Sequence, residues 1–542
     1  MKALRLLTGL VATLLLLGGV AVAILLGPDD TWGGEPAALP DSAPVISTAP
    51  QLLNVAGIDL VVSARASTGE VFVGAGHPVH VQDYLDGVTH TEIDELSADG
   101  VGGSQPRDGD RAYPAAPPAD LDVWEEQQVA QDVTVAVPLT EEAPVQVVVL
   151  PAKAGGAAPE VGIGYGLPGA FVAGLVAAVV GLLLLVGTVV WGRRAKRARR
   201  TAPATAPEAL AESAPAQATT VMRGATRVAA VGVIAVLAAG CSIPQQVDHG
   251  EAPGVVPLEA ADAQAVLDDY DVRNNAAIKA SHTGDGSRWR AADTGPVLAK
   301  DLVEAKTNAV DRPTTKAVTF THEVEETFAA PQSAYPQWFV VSYTSSPDPE
   351  SKGVGLSLQT RDHVTEPWRG YSSVWVDEGA PTPLPPAQAA PSADDLERAE
   401  EVDDLLATWV EEGEAPGLQV TKELADHRAE MNTTSRGVSR FANSSDPWGG
   451  AEDRTAPGGS VRAVRVKEGL LVLTDQEWEN RGYLEADFQW RLDATDKKVF
   501  PQQDETNVYG RDFALSAAIL VPDSGDARVL GARAPRVLGF PR

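Results

Sequence analysis

The stretch MRGATRVAAVGVIAVLAAGC, residues 222–241, divides the 542-residue chain into two parts. It begins with a short basic head, Arg223 and Arg227, and continues with thirteen uncharged, mostly apolar residues, 228–240. A helix of this length spans roughly 20 Å, which is less than the roughly 30 Å hydrocarbon core of a bilayer. A basic head, a short apolar run and a small-residue end are the parts of a secretory signal. The stretch therefore predicts export of everything that follows it.

The last five residues, from Leu237 to Cys241 (LAAGC), resemble the lipobox of bacterial lipoproteins. In that family the chain is cut before the cysteine, which carries a diacylglyceryl thioether, so the resemblance implies lipidation of Cys241. This is the single cysteine of the chain, which excludes an intrachain disulfide, a cysteine-based metal site and a redox pair. The alternative is an unmodified cysteine within the membrane, because free cysteine behaves as a small apolar residue.

Two longer apolar runs precede this stretch. Leu6–Leu26 is uncharged over 21 residues, enough to span a bilayer. We predict a signal anchor there, and a cleaved signal peptide is the alternative. The second run, Gly169–Trp191, is followed by a basic cluster: Arg193, Arg194, Lys196, Arg197, Arg199 and Arg200. Cations beside a membrane exit are retained in the cytoplasm, so we interpret the cluster as a topology signal. Recognition of nucleic acid or of anionic lipid is the alternative.

These basic flanks predict a topology in which all three lie on the cytoplasmic side. The protein is then a multi-pass protein of the cell membrane, with residues 29–165 and 242–542 extracytoplasmic. The intervening residues 193–222 form a basic, disordered cytoplasmic linker. The net charge of −31 repels polyanions, so we expect membrane lipid and no nucleic acid as a partner.

The first extracytoplasmic part has the alternation of apolar residues that is typical of strands. Ile58, Leu60 and Val62 form one stripe, and residues 133–137 repeat the pattern with valine at every second position. Residues 145–150 form a nearly continuous β-branched run. This part therefore reads as a small, mostly-β ectodomain, in the manner of a sandwich.

The C-terminal half has helices followed by strands, twice. The first set comprises helices at 260–280 and 298–309 and strands at 317–320, 338–343, 354–359 and 371–376. The second set comprises helices at 396–410 and 420–431 and strands at 461–466, 470–476, 484–492 and 513–521. This order indicates two tandem α+β domains that resemble the cystatin-like or NTF2-like folds, in which a curved sheet wraps around helices. Such a cone holds a small molecule or serves protein contacts, and the fold alone does not choose between them.

The predicted fold class is α+β, with two N-terminal transmembrane helices flanking the mostly-β ectodomain, a third signal-like helix and the two tandem α+β domains. The parts are 1–28, transmembrane helix or signal anchor; 29–165, ectodomain; 166–192, transmembrane helix; 193–222, cytoplasmic linker; 223–241, lipoprotein-type signal; 242–258, tether; 259–378, α+β domain; 379–391, Pro-rich linker; and 392–542, second α+β domain.

We find no motif that carries catalytic chemistry. The His-Glu-x-x-His, Gly-x-Ser-x-Gly and phosphate-loop patterns are absent from the sequence. The one close histidine pair, His77 and His80, has a proline between its members and is interpreted as a solvated loop rather than a metal site. Adjacent acidic residues such as Asp268 and Asp269 diverge by about 100° on a helix and do not converge. We therefore predict no catalytic residue, metal or cofactor.

Two further resemblances rest on short motifs. Residues 266–270 (VLDDY) with 274–276 (NNA) resemble the first helix of actinobacterial lipoproteins that have a duplicated domain of unknown function. Residues 71–74 (VFVG) with 84–88 (YLDGV) are similar to uncharacterised membrane proteins of the same bacteria, although Ala75 stands where that pattern has isoleucine. The chain thus looks like a fusion of two envelope proteins, and neither resemblance implies a catalytic residue.

The predicted function is non-enzymatic binding or scaffolding at the outer face of the cytoplasmic membrane, in support of transport or envelope assembly. Other envelope proteins are candidate partners. The alternative is an envelope enzyme or small-ligand-binding protein that uses a pocket in one C-terminal α+β domain. Convergent polar groups of perturbed acidity in a concave pocket would favour the alternative. A packed apolar cone with an exposed apolar patch would favour scaffolding.

Overall fold

The structure is a computed structural model, and it describes residues 2–28, 30–40, 42–50, 52–53, 55–97, 100–140, 144–200, 245–246, 254–347, 353–376, 379–433, 437–450, 453–490, 494–500 and 507–538. The chain forms two compact units, Met1–Glu251 and Ala252–Arg542, called the first and second unit below. The signal-like stretch 222–241 with Cys241, the linker residues 201–221 and most of the tether lie outside the described residues. Mixed α+β structure, as predicted, is confirmed for the described residues.

The first unit combines three helices with twelve strands among its described residues. The helices are α1 (Lys2–Leu26), α2 (Pro78–Leu85) and α3 (Ala170–Arg200). The strands are β1 (Thr31–Gly33), β2 (Ile46–Thr48), β3 (Val55–Ala56), β4 (Ile58–Arg65), β5 (Val71–Gly76), β6 (His90–Ser97), β7 (Gly100–Arg107), β8 (Trp124–Ala130), β9 (Asp132–Leu139), β10 (Gln146–Pro151), β11 (Glu160–Gly166) and β12 (Gln245–Gln246).

The two long helices of the first unit are apolar enough to cross a membrane over Leu6–Leu26 and Ala170–Arg194, which confirms the two predicted apolar helices. They pack against each other through small residues. A Cβ atom added to Gly19 of α1 would lie 2.3 Å from the carbonyl oxygen of Gly174 in α3. The absence of side chains at such positions lets two helix backbones approach closely, which is how helices associate in lipid.

Two sheets of the first unit enclose one apolar core. The four-stranded sheet has the order β1-β11-β4-β9, and the six-stranded sheet has the order β7-β6-β2-β10-β5-β8. Alternate residues of β4 and β9, such as Leu60 and Val135, face Val73 and Val149 of the other sheet within this core. Strand residues separated by two lie on the same face, so the alternation read from the sequence supplies the buried side.

Over its described residues, the second unit begins with three α-helices and a four-stranded antiparallel meander, β13-β14-β15-β16. The helices are α4 (Ala263–Ser281), α5 (Trp289–Ala292) and α6 (Gly295–Asp311). The strands are β13 (Thr321–Phe328), β14 (Gln337–Ser346), β15 (Val354–Arg361) and β16 (Arg369–Val376).

In the described part of the remainder of the second unit, four α-helices lie before and between the strands of a seven-stranded sheet. The helices are α7 (Pro386–Ala389), α8 (Ala393–Glu412), α9 (Lys422–Met431) and α10 (Ala494–Val499). The strands are β17 (Leu418–Gln419), β18 (Val438–Pro447), β19 (Val461–Val466), β20 (Gly469–Leu484), β21 (Val508–Val521), β22 (Ala527–Arg533) and β23 (Arg536–Val537).

The two sheets of the second unit share an apolar layer. Val340 and Leu358 of the meander pack in one core with Leu471, Leu473 and Leu520 of the larger sheet. The opposite face of the meander packs on α4, and the opposite face of the larger sheet packs on α8. The layers therefore run helix, sheet, sheet, helix.

The Pro-rich segment 379–391, expected to be an extended linker, lies against the larger sheet. The backbone N–H of Lys467 donates to the carbonyl of Thr382 at 3.0 Å, and the N–H of Thr382 donates to the carboxylate of Glu468 at 2.9 Å. Ala389, in α7, is buried in the layer between the sheets. This segment is therefore part of the packed unit.

Candidate functional site

A cavity of about 560 Å³ opens among the helices and the meander at the start of the second unit. Its helical walls come from α4 and α6, and its sheet wall comes from β13, β14 and β16. The lining includes Tyr270, Asp301, His322, Tyr343, Ser373 and Trp375. A cavity of this size, with apolar and polar groups intermixed, is typical of small-molecule sites.

A smaller chamber of about 40 Å³ has several lining residues in common with the cavity, among them Tyr270, His322 and Tyr343. Ser357 and Gln359 line only the smaller chamber, which we call the inner chamber. Its volume is enough for a water molecule or a single hydroxyl group, which needs about 10–15 Å³.

The alternation of side chains along a strand places Ser357 and Gln359 on the face of the meander that packs on the helices. In β15, Leu356 and Leu358 lie in the layer between the sheets, while Ser357 and Gln359 line the inner chamber. Side chains alternate between the two faces of a strand, so these polar residues point away from the shared core. Tyr343 of β14 is on the same side, in contact with the α4 core.

The buried stripe of α4 mixes apolar and polar residues. Leu267, Asp271, Asn274 and Ala277 are all buried, and they recur at the helical spacing of three or four. Burying a carboxylate and an amide costs free energy unless each is hydrogen-bonded. Asp271 and Asn274 therefore lie where hydrogen-bond partners on β13 and around the cavity can reach them.

Tyr270 and two carboxyl groups form a buried acidic cluster. The hydroxyl of Tyr270 donates to Oδ1 of Asp293 at 3.0 Å. Burial, reinforced by the neighbouring Asp301, raises the pKa of Asp293 well above its usual range. Burial also raises the pKa of Asp301, although the ammonium of Lys300 lies 2.6 Å from its Oδ1. Burial raises the pKa of Tyr270 well above its ordinary value, so its hydroxyl stays protonated as a donor.

Asp271 and His322 form a second pair on the cavity wall. The backbone N–H of His322 donates to Oδ2 of Asp271 at 2.8 Å, and Nδ1 of the imidazole bonds to Oδ1 of the same carboxylate. The edge of one ring meets the face of the other between His322 and Tyr343, with centroids 4.8 Å apart. Within the described part of the chain, Nε2 of His322 has no hydrogen-bond partner. A bound molecule could therefore use this nitrogen.

The mouth of the cavity carries exposed cationic residues and exposed apolar residues. Lys316 and Arg533 supply positive charge, and Val318 and Trp375 supply exposed apolar surface. Among the residues that the structure describes, neither Lys316 nor Arg533 is in an ion pair. Molecules entering the cavity would therefore pass cationic and apolar groups together.

The residues predicted as sites from the sequence lie elsewhere. Arg193 and Arg194 are exposed near the end of α3, and the backbones of Lys196, Arg197, Arg199 and Arg200 continue that helix. This cluster belongs to the first unit, whereas the cavity belongs to the second. Cys241 lies outside the described residues.

Sequence reasoning missed the cavity, although one signal for it was present. Tyr270 and Asn274 lie within the helix predicted at 260–280, and the sequence pattern gives this helix no role in a site. The polar members of its buried stripe, Asp271 and Asn274, were the signal, because buried polar groups need partners. His322 and Gln359 carried no such sign, since each sits in a strand far along the chain.

A comparison of the sequence with known proteins shows that the part of the chain with the cavity matches a protein family. Among curated proteins, none matches the chain. Residues 256–538 match the family model of the domain of unknown function DUF8094, and they make up more than half of the chain. The match agrees with the expected domain of unknown function, while the actinobacterial origin and the fusion with a lipoprotein stay predictions. The cavity and both sheets of the second unit lie within the matched residues, and the chain belongs to the DUF8094 family.

Proposed function

We propose that the protein is a membrane-anchored ligand-binding protein of the cell envelope, and that the cavity on the meander holds a small organic molecule. The single observation that carries this proposal is the cavity of about 560 Å³ with its polar inner chamber. Sites for small molecules are concave, mostly apolar and equipped with a few placed polar groups. This proposal takes up the alternative named from the sequence, a small-ligand-binding protein that uses a pocket in a C-terminal α+β domain, in place of the scaffold role.

The buried acidic groups in and beside the cavity support a site over a purely structural core. Carboxyl groups with raised pKa values, such as Asp293 and Asp301, cluster at functional sites more than elsewhere. Asp301 both lines the cavity and contacts Lys300, so its charge would respond to an occupant. A core that served packing alone would be filled with apolar side chains.

A scaffold role has less support from the described surface. The exposed large apolar residues of the second unit are Val272, Val318, Trp375 and Leu538, and two of these line the cavity. A protein-binding surface usually presents a contiguous apolar patch of several hundred Å². Single exposed residues at a cavity mouth suit a small ligand better.

The location proposed for this site is the outer face of the cytoplasmic membrane. Support comes from the two apolar helices of the first unit and from the acidic chain with its basic flanks. Lipidation at Cys241, the multi-pass topology and a cystatin-like or NTF2-like ancestry of the second unit belong to the same proposal. Either the two apolar helices or a lipid on Cys241 would anchor the protein to the membrane.

Small molecules that copurify with the full chain test the proposed function. Two variants on β14 form a matched pair: Ser345→Trp places an indole in the cavity lining, and Thr344→Trp places it on an exposed neighbour outside the lining. Each protein is purified in detergent from membranes, denatured and extracted, and the extract is analysed by mass spectrometry. We expect a compound that the wild type and Thr344→Trp retain and that Ser345→Trp loses. Equal recovery of every compound from the three proteins would contradict the proposal.

A further inference from the structure

The chemistry of the inner chamber narrows the kind of ligand. We infer that the ligand is a ring compound with a hydroxyl group, and that this hydroxyl enters the inner chamber and donates a hydrogen bond to Nε2 of His322. This inference rests on the proposed function, because it assumes that the cavity is occupied. It adds the chemical class of the occupant and the atom that recognises it.

Asp271 determines what His322 can offer. An ionised carboxylate only accepts hydrogen bonds, so the Nδ1 atom bonded to Asp271 must carry a proton. In the neutral imidazole the other nitrogen, Nε2, is then an acceptor. The backbone N–H of His322 bonds to the second oxygen of the same carboxylate at 2.8 Å, which holds the ring and the acid together. In the neutral ring Nε2 is thus an acceptor, and the residue that carries it lines both the cavity and the inner chamber.

A second acceptor lies in the same chamber. Gln359 is 1% exposed, and its Nε2 donates to the hydroxyl of Ser357 at 2.9 Å. Its Oε1 has no hydrogen-bond partner among the residues of the described ranges. A buried acceptor without a partner is unfavourable by the cost of desolvation, which a hydroxyl or water in the chamber would offset.

The hydroxyl groups around the chamber add donors to these acceptors. Tyr270 uses its proton on Asp293 at 3.0 Å, but the hydroxyls of Tyr343 and Ser373 share one bond of 2.9 Å, so one of their two protons is available. Ser357 accepts from Gln359 and keeps its own proton as well. A hydroxyl group, which both donates and accepts, therefore matches the chamber. Its volume of about 40 Å³ admits a hydroxyl but not a ring.

The outer cavity suits the ring that would carry this hydroxyl. Phe320, Tyr343 and Trp375 line it, and aromatic side chains pack favourably against flat rings. Its volume of about 560 Å³ leaves room for substituents that extend to the mouth. The ring would lie in the outer cavity with its hydroxyl directed inward.

The experiment compares para-cresol with its methyl ether, which has the same ring and no hydroxyl proton. Full-length protein in lipid nanodiscs is dialysed against each compound, and uptake by empty nanodiscs is subtracted. We expect the wild type to bind para-cresol roughly fivefold more tightly, the effect of one net hydrogen bond of about 1 kcal/mol. Equal binding of both compounds would overturn the inference and leave the proposed function standing. Binding of neither compound would overturn the inference as well, while the proposed function is decided by the copurification experiment.

Two variants identify the accepting atom. His322→Phe removes the acceptor and keeps an aromatic ring. In Asp271→Asn the amide NH₂ would donate to Nδ1, which moves the ring proton to Nε2 and turns the acceptor into a donor. We expect the preference for para-cresol to fall to about one in both variants, while the methyl ether binds as before.

The control is His363→Phe, since His363 lies in the turn between β15 and β16 and outside the cavity lining. It should keep the wild-type preference for para-cresol. Because each preference is a ratio measured on one protein, partial loss of folded protein does not alter it. A full preference in either His322→Phe or Asp271→Asn would show that Nε2 is not the recognition atom.

Discussion

The hydroxyl of Tyr270, on α4, lies 3.0 Å from Oδ1 of Asp293, a fully buried residue beside the start of α6. Asp293 also pairs with Gly370 of β16 through the backbone. The bond therefore connects α4 to the segment between α5 and α6, and through that segment to the meander.

Tyr270→Phe should destabilise the second unit by about 1–3 kcal/mol, because it leaves a buried carboxyl without its donor. Urea unfolding of wild type and variant measures the difference. Tyr483→Phe is the control, because the hydroxyl of Tyr483 has no bond among the described residues. It should change the free energy of unfolding by less than about 0.5 kcal/mol. Equal losses in the two variants would contradict the role given to the Tyr270 bond.

Asp475 predicts a pH dependence of stability. Burial raises its pKa from 3.8 to about 7, although the hydroxyl of Ser516 donates to Oδ1 at 2.5 Å. The folded protein then binds this proton more tightly than the unfolded chain does, so the stability that it contributes is present at low pH. That contribution falls as the pH rises from 3.8 to about 7.

Asp475→Asn removes this titration and should flatten the fall of unfolding free energy across that pH range. The variant should be more stable than the wild type above about pH 7, since it buries no charge. Unfolding by urea at a series of pH values checks it. Asp526→Asn, at an exposed position, serves as the control and should keep the wild-type slope. If the dependence of unfolding free energy on pH were unchanged in Asp475→Asn, Asp475 would not be its cause.

Close packing of α1 on α3 predicts different effects at two adjacent glycines. A Cβ atom on Gly19 would lie 2.3 Å from the backbone of Gly174, whereas one on Gly18 meets nothing within 4 Å. Gly19→Ala should therefore destabilise the helix pair by about 1–3 kcal/mol through overpacking. Gly18→Ala should not. The aggregation temperature in detergent compares them, and equal temperatures would argue against this helix contact.

The start of α8 predicts a capping effect. The hydroxyl of Ser392 accepts the N–H of Asp395 at 3.2 Å, and the carboxylate of Asp395 accepts the N–H of Ser392 at 3.0 Å. Ser392→Ala should cost about 1 kcal/mol of unfolding free energy, whereas Ser392→Gly should cost only a few tenths. Urea unfolding separates the two, and equal costs would show that the serine does not act as a cap.

Processing at Cys241 is predicted from the sequence alone. Mass spectrometry of the membrane fraction should detect a peptide that begins at Cys241 and carries a diacylglyceryl group. Cys241→Ser should leave the chain uncut, because the lipid is attached to the thiol. An intact peptide across Gly240 and Cys241 as the dominant wild-type species would contradict the predicted lipidation.

Regular apolar patterns made some elements predictable. Val133, Val135 and Val137 alternate with exposed residues in β9, as expected for a strand with one buried face. Leu396–Val410 lies within α8, where the helical period supplied the buried stripe. Here the sequence pattern and the burial arise from the same geometry, so one indicates the other.

Other elements had no pattern to read. β13 (THEVEETF) is an edge strand with mostly polar residues, and it lies after the predicted strand at 317–320. β18 is likewise largely exposed or half-buried, and no strand was predicted there. Edge strands are held by backbone hydrogen bonds to one neighbour and need little apolar surface, so periodicity gives no signal.

The candidate site depended on contacts that one sequence does not reveal. Asp271 and His322 are separated by 51 positions, and Gln359 is further along still. Each is unremarkable in its own segment. The chamber exists because strand alternation and a polar helix stripe converge in space, which only the fold determines.

The apolar layer shared by the two sheets makes each half of the second unit depend on the other. Val340 and Leu358 on one side, and Leu471 and Leu520 on the other, would all face water if the halves were produced separately. Neither half is therefore a portable module, and a truncation between them would expose an aggregation-prone sheet face. A ligand in the meander cavity would raise the melting temperature of the larger sheet as well, because binding to the folded state stabilises the whole cooperative unit.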